Sequence, residues 1–169
     1  MMKIETPEPW LRGTLTDVPP VHRAVLHALE LAKDDIQRWC GDLNDAQLNA
    51  RPAGVAPVAF HVRHIARSID RLLTYAEGKQ LSSEQLAVLK SELNEGATAA
   101  ETFSEFARAI DQAVARIRAL VAVPLDTARK VGRKELPTTV GGLLVHLADH
   151  TQRHVGQAIS AAKLARVSG

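Results

Sequence analysis

Three histidines recur at four-residue intervals near the end of the chain. They are His146, His150 and His154, within VGGLLVHLADHTQRHVGQAI (140–159). At about 100° per residue, a step of four turns only about 40°, so on a helix the three imidazoles form one stripe. Leu143, Leu147 and Ala161 fall near that stripe, while Asp149, Gln152 and Lys163 fall away from it. The histidines therefore line the inward edge of an amphipathic helix. His61 and His64, with Phe60 and Tyr75, share an earlier helical stretch. Two histidines four apart can bind one metal ion, and a third ligand from a second helix completes a facial set. Water or substrate then takes the remaining positions, which is the open coordination of a catalytic site. All-nitrogen ligation suits zinc, nickel, copper or iron. The same stripe has a plainer reading, as buried hydrogen-bonding histidines without metal. A metalloprotease is excluded: neither HLADH nor HTQRH carries Glu directly after its first histidine.

Those side chains need helices to hold them. Val21, Val25, Leu29, Ala32, Ile36 and Trp39 recur at three and four, predicting a first long helix over about 20–40, entered at Pro19-Pro20 and stopped at Gly41. His22 and His27 lie on it five apart, do not face each other, and read as solvated or incidental; Cys40 reads as a small core residue. Asn44 and Gln47 can cap one helical turn. Val58, Val62, Ile65, Ile69, Leu72 and Leu73 mark a second long helix over about 57–77, begun at Pro57 and ended by Gly78. In the long connection 79–97, Ser82 with Gln85 can cap a short helix through Lys90, and ELNEGAT (92–98) reads as loop. Thr98 with Glu101 opens a third helix over about 99–122. Residues 124–137 read as a basic, irregular loop, and Thr138 can cap a fourth helix over about 138–166. Four amphipathic helices without a convincing strand predict an all-α four-helix bundle. Residues 1–18 read as a surface arm anchored by Trp10, and 19–169 as one domain.

The totals agree with such a domain. A chain of 169 residues can bury roughly 70% of its unfolded surface. A formal charge of +2 gives no support to nucleic acid or an anionic membrane as partner. One cysteine allows no internal disulfide. No apolar run approaches the length of about eighteen residues that reads as a membrane span, and the start does not read as a signal peptide. The expectation is a cytoplasmic protein.

HIARSIDRLL after a Pro-bounded loop, and above all LLVHLADHTQRHVGQAI, resemble the DinB/YfiT-like superfamily of metalloenzymes. The loop LNDAQLNARPAG and the long second connection fit as well, so the resemblance spans roughly residues 20–165. It implies an up-down-down-up bundle, in which His64, early in its helix, meets His150 and His154 in the later half of theirs. On the helical wheel His61 lies nearer the centre of the apolar row than His64. The resemblance instead carries the first ligand to His64, within His64-Ile65-Ala66, and the others to His150 and His154, ahead of Gly156 and Gln157. His146, His61 and Gln157 are then candidates to orient a ligand, hydrogen-bond substrate or move a proton. Arg63, Arg67 and Arg153 could hold a substrate carboxylate or merely face solvent. The metal expected is zinc or nickel, and the resemblance further implies chemistry as a low-molecular-weight-thiol transferase or a hydrolase on a small-molecule substrate, and a homodimer. A dimerising, metal-binding, non-catalytic stress protein is the competing expectation.

Overall fold

The structure is a computed structural model, and it describes residues 6–92 and 96–167. Six α-helices are α1 (Pro20–Cys40), α2 (Asp45–Asn49), α3 (Val58–Ala76), α4 (Ser83–Lys90), α5 (Ala99–Ala119) and α6 (Val140–Val167), and a two-stranded sheet joins β1 (Ala128–Val131) to β2 (Leu136–Thr139). The four long helices arise where apolar residues recur at three and four. On α1 that row is Val25, Leu29, Ala32, Ile36 and Cys40; on α3 it is Val62, Ile65, Ile69 and Leu73. Each large aliphatic side chain so buried contributes about 1.5–3 kcal/mol. These rows therefore fix which face of each helix turns inward. On α3 that choice leaves His61 and His64 beside the row.

Helix directions follow from cross-helix pairs. His61 meets His154 and His64 meets His150, so α3 and α6 run antiparallel. Arg67 binds Glu105 while Arg116 binds Asp70 and Glu77, so α3 and α5 run parallel. Gln152 reaches the Ala28 carbonyl and Arg166 the Trp39 carbonyl, so α1 and α6 run parallel. The parallel pair α3 and α5 requires the chain to travel back along its own length between them. Part of that return is α4, capped reciprocally by Ser82 and Gln85 and fastened to α3 by Gln85 Nε2 on Asp70 and Thr74. Before it, α3 ends at Gly78, whose φ of +79° suits glycine, with Lys79 N–H donating back to the Thr74 carbonyl.

Four expectations are corrected. The loop 124–137 contains an antiparallel hairpin, pairing Ala128 with Thr139 through Val131 with Leu136. Its strands are short and charged and include Pro137, so strand propensity conceals it. What holds it is docking: Arg129 Nε donates to the Ala76 carbonyl at the end of α3. The hairpin delivers Thr139, rather than Thr138, to the start of α6, where its Oγ1 accepts from the Gly142 N–H. In the arm, Trp10 is 62% exposed, and the anchor is Arg12, paired with Glu30 and Asp34 of α1; residues 1–5 of that predicted arm lie outside the described residues. His22 and His27 are buried, not solvated. His22 stands three before Val25 and seven before Leu29, within the apolar row itself, and the arm's Thr14 Oγ1 meets His27 Nε2 at 3.0 Å. Of the loop expected over 92–98, residues 93–95 also lie outside the described residues.

Candidate metal centre

His64 comes from the second turn of α3, and His150 and His154 from the middle of α6. Because the two helices are antiparallel, one turn down α3 is one turn up α6, and the rings interleave. His64 and His154 ring centroids are 4.5 Å apart, and those of His150 and His154 are 4.6 Å apart. Phe60, one turn before His64 on α3, stacks on its ring at 5.3 Å and 17°.

One nitrogen from each of His64, His150 and His154 lies within 4.8 Å of the others, and all three residues are half-buried. A tetrahedral ion with bonds of about 2.0–2.1 Å to imidazole needs its nitrogens about 3.3–3.4 Å apart. His64 Nε2 and His150 Nε2 stand 3.3 Å apart. The donor set also fits in charge. Burial, then the neighbouring charges of His154 and His64, push the His150 imidazole down to about 4. Burial and then His64 and Arg153 lower His154 as well. Both rings are thus neutral near pH 7 and have lone pairs to give a cation.

The remaining candidates fall in different places. His61 is buried at 6% exposure, and its Nδ1 faces His154 Nδ1 at 3.0 Å. Burial first, then the charges of His154 and His64, push it down to about 4. His61 also lines a cavity of about 500 Å³ together with Val55, Arg153, Gly156, Gln157 and Leu164. Gln157 is therefore brought to the cavity wall rather than onto a histidine ring. Gly156 serves the same wall: nothing lies within 4 Å of where its Cβ would be, so it admits no close helix approach. His146 is exposed, with its ring 5.5 Å from that of His150, and it lies outside the close set. Arg63 and Arg67 turn to Glu105 on α5, and Arg153 to Asp149.

Sequence reasoning missed one group. Glu92, two residues past the end of α4, is only 7% exposed. Its Oε2 lies 2.8 Å from His64 Nδ1, and its Oε1 binds Arg71. Burial opposes its ionisation, but the hydrogen bonds from His64 and Arg71 outweigh it and hold the carboxyl below its usual range. Ser68 Oγ, which accepts from Arg71 at 3.0 Å, faces His64 Nε2 at 3.3 Å. Nothing in the local sequence marks Glu92. It sits in a stretch without period, and only the path of the connection brings it to α3.

Two α3–α6 histidine pairs and a long return between parallel helices define a histidine-centred helical fold. The DinB superfamily pattern matches residues 28–158, and the chain belongs to that superfamily. No curated protein and no solved structure matches the chain. Among the described residues, no helix is long and apolar enough to cross a membrane.

Proposed function

We propose that this DinB-superfamily chain is a metal-dependent enzyme, an up-down-down-up four-helix bundle with an arm (1–18) and one domain (19–169). His64, His150 and His154 hold a divalent ion, zinc or nickel, and the reaction is transfer of a low-molecular-weight thiol, with hydrolysis as the runner-up. The observation that carries this reading is the 3.3 Å separation of the two facing Nε2 atoms within a three-nitrogen set. Three neutral ligands leave a bound divalent ion its full charge, which would acidify a thiol or a water at an open position.

The chain's own residues divide the rest of the work. With His154 Nε2 given to the ion, its Nδ1 carries the hydrogen and donates to His61 Nδ1, 3.0 Å away. His61 is at once that orienting partner and part of the cavity wall, and with its Nδ1 accepting from His154 its Nε2–H can donate a hydrogen bond to a molecule seated there. Val55 and Leu164 give the cavity apolar surface, and Gln157 gives it an amide that can orient substrate. Cys40 is buried, and burial pushes its thiol up to about 11, so it does not compete as a nucleophile.

Cobalt substitution tests the reading. Adding a small thiol to the cobalt-loaded protein should produce a thiolate-to-cobalt charge-transfer band, absent in His154→Ala. A cobalt spectrum that no thiol perturbs would mean a closed, structural site and would remove thiol transfer.

A further inference from the structure

The ligand set does not account for Glu92. A nearly buried carboxylate is costly unless both oxygens are satisfied, and here both are, one by His64 and one by Arg71. A carboxylate only accepts, so the hydrogen between Glu92 Oε2 and His64 must reside on Nδ1. In the neutral ring the lone pair is then at Nε2, the nitrogen that faces His150 Nε2. Ser68 closes the arrangement. Its hydroxyl accepts from Arg71 and lies 3.3 Å from that same Nε2. Arg71, Glu92 and Ser68 thus form a closed set of contacts around one imidazole.

We propose that Glu92 is a positioning residue of the metal centre. It fixes His64 as the Nδ1–H tautomer, aims Nε2 at the ion and strengthens it as a donor, so that the connection between α4 and α5 is a working part of the site. The proposal rests on the metal reading above. It differs in what it demands: a bond from outside the two ligand-bearing helices must tune one ligand. Arg71 serves it indirectly, by holding Glu92 and Ser68 on opposite sides of the ring. The competing arrangement is an imidazolium–carboxylate ion pair, in which His64 carries hydrogens on both nitrogens and binds nothing.

The test uses full-length protein labelled with 15N-histidine, loaded with zinc, as wild type, Glu92→Gln and Glu92→Ala. In the wild type, His64 should retain a slowly exchanging Nδ1 hydrogen while Nε2 shows the shift of a coordinated nitrogen. Glu92→Ala removes the acceptor. Its Nδ1 hydrogen should exchange rapidly, and zinc affinity, read by competition with a chromophoric chelator, should fall about 10–100-fold. Glu92→Gln keeps an oxygen acceptor without the charge and should fall between the two. A merely structural role would lower the melting temperature without moving the His64 signals. If Glu92→Ala does not fold, because Arg71 is left unpaired, Glu92→Gln carries the measurement. Zinc bound by the variants as tightly as by wild type, with unchanged His64 signals, overturns the proposal and leaves the metal reading standing. A wild type that takes up no zinc overturns that reading and the proposal with it.

Discussion

At the scale of single residues, His61, His150 and His154 are imidazoles whose burial opposes protonation. Burial in the folded chain lowers His61 and His150 from about 6.5 to about 4. Between those values the unfolded chain holds more protons, so stability rises with pH. The contribution of neutral histidines is complete above about pH 6.5 and is lost as pH falls toward 4. In metal-free protein each should contribute on the order of 1–3 kcal/mol over that window. Melting temperatures measured from pH 7.5 to 4.5 in chelator should fall steeply, and His61→Phe should flatten the slope. A pH-independent melting temperature would mean that these rings are not held neutral by burial. The stripe itself was legible, since a four-residue spacing on a helix leaves His150 and His154 little choice of face. The choice between His61 and His64 was not legible from the wheel. His61 is the more deeply buried, but that burial turns it to His154 Nδ1 and the cavity, while His64 faces His150.

At the scale of elements, the site depends on the level at which α6 begins, because His150 and His154 must meet the second turn of α3. The hairpin sets that level by pinning Arg129 to the end of α3 and handing Thr139 to the first turn of α6. Thr139→Ala should cost about 1 kcal/mol, the usual value of a lost cap, and lower the melting temperature. Zinc affinity should be unchanged, because Arg129 still pins the hairpin to α3 and His150 and His154 sit three and four turns further on. A large loss of zinc affinity in that variant would show that the start of α6 sets the ligand geometry more directly than hydrogen bonding implies. The long helices were readable from apolar rows such as Val62, Ile65, Ile69 and Leu73. The hairpin was not, since Arg129, Lys130 and Pro137 carry no strand signal and pairing comes from docking. Glu92 was hidden for a related reason: only the route of the connection gives it a partner.

At the scale of the whole molecule, α3 and α6 do not form the centre as a local motif. His64 and His150 are far apart in the chain, so the site exists only when the helices are packed. A metal that binds the folded chain alone must then stabilise it, by about 2.7 kcal/mol at a free concentration one hundred times its dissociation constant. Zinc should raise the melting temperature of wild type, less at pH 5 than at pH 7.5, and a chelator should reverse the rise. The proposed homodimer is checked in the same preparation by light scattering, where the mass should be twice that of the chain. In the proposed reading, substrate sits in the cavity beside His61 and Gln157, at the α3–α6 seam.

The most direct measurement is metal content by elemental mass spectrometry, on untagged wild type and on His150→Ala. The account predicts near-stoichiometric zinc or nickel in the wild type and its loss in the variant. A wild type that is empty, and that takes up neither metal when it is supplied, would contradict the central claim and leave the histidines as packing and hydrogen-bonding groups of a helical protein.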